Sequence, residues 1–261
     1  MKNIRRITSV LLIVILLFLA VGCTKQQKSE PVTLYISSAA SLKDSMNEVK
    51  QVYEAEKENV KVIFNYGSSG TLQQQIEQGA DVDIFISAAA KQMDALEKKD
   101  LIVKDTRKTI LQSDVVLIVP KENSTIASFQ DLTTEKAKKI ALGEPKSVPA
   151  GQYAVEVFTK LGILDKIKEK EVYAKDVKEV LTWVETGNAD AGIVYATDAK
   201  ISNKVKIVTI ASADSHTPVI YPAAVIKASK KVDAAKDFMK FLTDDKAKAV
   251  FEKYGFKVNT K

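Results

Sequence analysis

Residues 32–53 read VTLYISSAASLKDSMNEVKQVY. The first five are apolar, β-branched or aromatic, the composition of a buried strand. Ser41 and Asp44 then form Ser-x-x-Asp, a helix-start signature. Leu42, Met46, Val49 and Tyr53 recur at helical spacing, which predicts an amphipathic helix over 42–57. The unit is a strand, a turn of small residues and a helix, and the rest of the chain repeats it. Further strands are expected at 60–64, 84–86, 115–119, 139–142, 192–195, 205–210 and 219–226. Helices are expected from Leu72 to Gly79, around Met93 and Leu96, and over 152–161, 177–186, 232–242 and 247–254. Gly79, Gly162 and Gly187 stand where helices stop. This alternation predicts an α/β fold of mainly parallel sheets flanked by helices. About ten strands suit two lobes better than one sheet. No Pro/Gly-rich linker divides the chain, so strands themselves are expected to make the crossovers, with 115–119 and 219–226 as candidates. One lobe is then 32–113 with 219–261, the other 114–218, and a ligand cleft lies between them.

The amino terminus is read as an address. Lys2, Arg5 and Arg6 precede an apolar run over 7–20, and the small residues Ala20 and Gly22 precede Cys23. That pattern is a secretory signal. Ala20-Val21-Gly22-Cys23 resembles a bacterial lipobox, with Ala where Leu is usual. The expectation is a lipoprotein signal peptide at 1–22, lipidation of Cys23, a polar tether at 23–31, and a protein held outside the cytoplasm on the cell membrane. Losing residues 1–22 removes three positive charges, so the net charge falls from +6 to +3.

Composition narrows the chemistry. One Cys and one His among 261 residues exclude a disulfide framework and multi-Cys or multi-His metal sites. The lysines are dispersed, with no basic run interleaved with aromatics, so no nucleic-acid partner is expected. Beyond the signal the only Arg is Arg107, leaving almost no material for guanidinium forks on anions. G-x-S-x-G, S-x-x-K, H-E-x-x-H, Walker and G-x-G-x-x-G motifs are absent. A secreted hydrolase would have to use His216, which sits in a polar loop-like stretch, ADSHTP. Asp81 and Asp83 lack a third metal ligand nearby and read as a turn residue and a strand start. No catalytic residue, cofactor or resident metal is expected.

What remains is a set of turns. SSAAS at 37–41, GSSGT at 67–71 and VPAG at 148–151 each join a strand to a helix. Helix starts carry unpaired N–H groups and partial positive charge, so they favour anions. Taken singly, Ser41 and Ser69 read better as plain N-caps, worth about 1 kcal/mol each; three such turns in one chain point toward an anion cleft.

At these same turns the sequence resembles the substrate-binding component of molybdate ABC transporters. The resemblance is carried by AASL (39–42), GSSGTLQQQIEQGADVDIFISA (67–88), VPAGQYA (148–154), DVKEVLTWVETGNADAGIVYATDA (176–199), then YPAAVI and FEKYGF. It implies a two-lobe, type II periplasmic-binding-protein fold closing on an oxyanion. It implies Ser41 and Ser69 as hydroxyl donors, Ala150 and Val177 as backbone N–H donors, and Tyr195 as a phenol donor. Gly70 stands where the family often has Ser. It also implies a monomer that hands molybdate, and tungstate with it, to a permease driven by an ATPase. A receptor for another oxyanion such as sulfate, or for a metal chelate, stays open, as does a lipoprotein that only senses the anion.

Overall fold

The computed structural model describes residues 31–122 and 124–258. The signal peptide, Cys23 and residues 23–30 of the expected tether lie outside them. In chain order the elements are β1 (Val32–Ala39), α1 (Lys43–Glu56), β2 (Val60–Gly67), α2 (Ser69–Glu77), β3 (Ile84–Ile86), α3 (Ala90–Lys98), β4 (Lys108–Gln112) and β5 (Val115–Pro120). There follow β6 (Ile140–Gly143), α4 (Pro149–Lys160), α5 (Leu164–Ile167), β7 (Glu171–Ala174), α6 (Val177–Glu185), β8 (Ala191–Tyr195), α7 (Ala196–Lys200) and β9 (Val205–Ile210). The last are β10 (Ile220–Val225), α8 (Val232–Phe241), α9 (Asp245–Lys253) and β11 (Lys257–Val258).

These strands build two sheets, each the floor of one lobe. The six-stranded sheet has the order β11-β4-β10-β3-β1-β2, and the five-stranded sheet β7-β6-β8-β5-β9. The chain passes from the first sheet to the second through 113–114 and returns through 211–219. Central strands are apolar throughout because helices cover both faces: Val115 to Val119, Ile84 to Ile86 and Ala191 to Tyr195 are all buried.

The α/β class stands, but the sheets are mixed where mainly parallel ones were expected. β2, β1 and β3 run parallel, as do β7, β6 and β8. β10 is antiparallel to β3 and β4, and β5 is antiparallel to β8 and β9. A strand arriving from the other lobe enters its sheet at the cleft end and so runs away from the cleft. The βα units of the same sheet run toward it. β4 and β7 were not expected at all. Their residues, KTILQ and EVYA, are too polar to read as buried strands.

Candidate anion-binding site

Ser41, Ser69, Ala150, Val177 and Tyr195 line one small cavity between the sheets, together with Gly67, Ser68, Ala88 and Asp176. All five are between 1 and 6 % exposed, so the lobes lie closed over it. Ser41 and Ser69 come from the six-stranded lobe, the other three from the five-stranded lobe.

Neither serine is the cap that its position suggests. Leu42 occupies the N-cap of α1 and makes no side-chain cap bond. Ser41 lies one residue earlier, in a 3-10 turn over Ala40–Leu42, with its Oγ 3.3 Å from Tyr221 Oη. The cap of α2 is Ser68, whose Oγ accepts the Thr71 N–H. Ser69 Oγ accepts the Ala88 N–H at 2.9 Å. A serine that accepts a bond from behind keeps its own hydrogen to donate forward. Ser41 is tied to Tyr221 by a hydroxyl–hydroxyl bond in which either oxygen can donate. Tyr221 is fully buried on β10 and was not singled out from the sequence, although it begins the YPAAVI motif.

The second lobe offers backbone. Val148, Pro149, Ala150 and Gly151 were expected as a turn before the helix; the last three are its first turn. Pro149, at the first position, has no N–H to lose there. Ala150 follows it, and first-turn N–H groups have no partner inside the helix. Gly151 is required by a close approach: a Cβ there would stand 1.9 Å from the Gly143 carbonyl oxygen. α4 therefore starts directly against the end of β6. Val177 opens α6, and Asp176 caps it by accepting the Glu179 N–H at 3.0 Å. Val177 lines the cavity, and as the first residue of α6 its N–H has no partner inside the helix.

Tyr195 ends β8 at the N-cap of α7. Its hydroxyl is buried and has no hydrogen-bond partner among the described residues. Tyr153 and Tyr221 pack edge-on against its ring at 6.4 and 5.9 Å. Burial, then the neighbouring phenols and Asp198, push its pKa well above the usual tyrosine value. It is a donor throughout the neutral range.

Of the acidic residues near the site, Asp83 and Asp176 accept hydrogen bonds, and Asp198 faces Lys178. Asp83 is buried and accepts from the Tyr35 N–H at 2.8 Å and Ser229 Oγ at 2.6 Å, with Lys231 Nζ at 3.2 Å. Asp198 is fully buried, and Lys178 Nζ lies 3.1 Å from its Oδ1. Burial raises the Asp198 pKa, with Lys178 opposing. Among the described residues no group of three His, Cys, Asp or Glu is placed to hold a metal ion. His216 is half-buried in the 211–219 crossover, its Nδ1 2.7 Å from the Thr217 carbonyl oxygen, and it does not line the cavity.

The lobes also touch backbone to backbone. The Gly70 N–H donates to the Ser147 carbonyl oxygen at 2.9 Å. A Cβ on residue 70 would come within 2.6 Å of that oxygen. Glycine at this position lets α2 approach the start of α4.

Two α/β lobes linked by paired crossovers and closed on a small cavity have the architecture of a protein that captures a small solute. The sequence model for bacterial extracellular solute-binding proteins matches residues 34–257, and the chain belongs to that family. It is 47% identical to the putative ABC transporter substrate-binding lipoprotein YvgL of Bacillus subtilis over 91% of this chain and 93% of that one. It is 41% identical to the molybdate-binding protein ModA of Haemophilus influenzae, over 98% of this chain and 99% of that one. Among solved structures, the substrate binding domain of a putative molybdenum ABC transporter from Clostridium difficile is 51% identical, covers 87% of this chain and 99% of its own, and superposes with a TM-score of 0.68.

Proposed function

We propose that this chain is the lipid-anchored, extracytoplasmic receptor of an ABC importer, capturing molybdate and, for its near-equal size and charge, tungstate. The observation that carries this is Tyr195: a buried phenol without a partner among the described residues, beside Ser69, whose oxygen already accepts a bond, and Ser41, bonded to Tyr221. A buried hydroxyl left unpaired costs about 1–3 kcal/mol unless something else accepts its hydrogen. A ligand bearing only acceptors supplies that. Molybdate at neutral pH is a fully deprotonated tetrahedral dianion, so donors alone suit it, and the starts of α2, α4 and α6 offset part of its desolvation. Phosphate keeps a proton near pH 7 and calls for an acceptor, whereas Asp176 and Asp83 already accept bonds elsewhere and Asp198 does not line the cavity. The names carried by the 41% and 51% identical proteins point the same way.

In this account Ser41, Ser69, Ala150, Val177 and Tyr195 are the five donors, with no catalytic step and no cofactor. Cys23 carries the anchor, and a monomer with lobes at 32–113 plus 219–261 and at 114–218 delivers the ion to a permease and its ATPase. The test is thermal melting of the protein lacking residues 1–23 with molybdate, tungstate, sulfate, phosphate or no anion. A ligand at a hundred times its Kd adds about 2.7 kcal/mol, a rise of several degrees. The expected result is a rise with molybdate and tungstate alone. A rise with sulfate or phosphate instead would discard the ligand, and no rise with any would discard the anion site.

A further inference from the structure

Close to the uncharged donors lies a second polar set, and it is charged. Lys178 Nζ stands 3.1 Å from Asp198 Oδ1 and 2.7 Å from Asp44 Oδ2. Lys178 and Asp198 belong to α6 and α7 of the five-stranded lobe, Asp44 to the first turn of α1 in the other. Lys178 directly follows Val177, and Asp44 lies three residues beyond Ser41. The triad therefore joins the two lobes beside donors from each.

We propose that Lys178 is a positioning residue for anion capture: its ammonium neutralises Asp198 inside its own lobe and bridges to Asp44 of the other lobe when the lobes close. This rests on the anion-receptor function proposed above. The two arms differ in kind. The arm to Asp198 stays within one lobe and is independent of closure. Asp198 is fully buried, and an unpaired carboxylate there would oppose both its own burial and the arrival of a dianion at Tyr195. The arm to Asp44 spans the cleft, so it exists only in the closed state and favours that state alone. Any contact that favours the closed state lowers the apparent Kd and slows release. The Lys178 side chain is 22% exposed and that of Asp44 42%, so water screens this arm in part and its effect is modest. Gly70 and Ser147 form a second contact between the lobes, one that no charge change at Asp44 disturbs.

The experiment is a molybdate titration with stopped-flow release on the full chain in detergent micelles. Asp44→Asn is expected to raise Kd about two- to fivefold, the range of a part-exposed pair, mostly through faster release. The melting temperature without anion stays the same, because this arm is absent when the lobes are apart. Lys178→Arg is expected to bind within about twofold of the wild type, rescue by a conservative charge. In a Lys178→Met background, Asp44→Asn should change nothing further. Unchanged Kd and release in Asp44→Asn, or an undiminished effect of that change in the Lys178→Met background, would overturn the bridge while leaving the receptor intact. A wild-type chain that binds neither molybdate nor tungstate would overturn the receptor function and the bridge with it.

Discussion

The two lobes meet the same cavity with different chemistry. The six-stranded lobe brings side-chain hydroxyls, Ser41 and Ser69, each held by a group behind it. The five-stranded lobe brings backbone N–H groups at the starts of α4 and α6, and one phenol without a hydrogen-bond partner among the described residues. The hydroxyl side is organised before any ligand arrives. On the other side Tyr195 is the group whose hydrogen bond a ligand must complete. Substitution should therefore act on stability from one side and on affinity from the other.

Ser69→Ala should have the largest combined effect. It removes a proposed donor to the anion and also the acceptor of the buried Ala88 N–H. Stability without anion should fall by about 1–3 kcal/mol, measured by denaturant titration, and molybdate affinity should drop tenfold to a hundredfold, about 1.5–3 kcal/mol. Tyr195→Phe separates the two quantities. Affinity should fall by the same factor, while the protein without anion melts no lower, because with the lobes apart water reaches the hydroxyl. A melting temperature that drops in Tyr195→Phe would erase the contrast between the lobes. Gly70→Ala tests their meeting point, since the new Cβ has no room beside Ser147. Overpacking of this kind costs roughly 1–3 kcal/mol, and here it should appear in molybdate affinity rather than in the fold.

Two smaller effects sharpen the picture. The Tyr195 pKa is raised, so its hydrogen is present below the ordinary tyrosine value and is lost only as pH climbs through a still higher one. With no His lining the cavity, molybdate Kd should stay flat between about pH 6 and 9, by titration calorimetry. A tenfold change across that range would mean that another titrating group holds the ion. His216→Ala should leave Kd within about twofold, and a larger loss would move the site toward the crossover.

The contrast between lobes also marks what the sequence could disclose. Alternating βα units were plain in runs such as VTLYI and in Gly stops, because apolar periodicity is local. β4 and β7 were hidden because their polar residues carry no period. The residues proposed as donors come from the family resemblance, since spacing alone makes Ser41 and Ser69 look like caps. The structure moves that role to Ser68 and leaves α1 without a side-chain cap. What oriented the serines was out of reach: Tyr221 lies 180 residues from Ser41, and Lys178 lies 134 from Asp44. Pairings at that separation follow from how the lobes fold and close, and no short stretch of sequence encodes them.

The most direct test is a crystal of the protein soaked with tungstate, with anomalous scattering recorded at the tungsten edge. A single peak is predicted inside the cavity, within hydrogen-bonding reach of Ser41, Ser69, Tyr195 and the N–H groups of Ala150 and Val177. A peak anywhere else, or none at saturating tungstate, would contradict the assignment of this cavity as the oxyanion site.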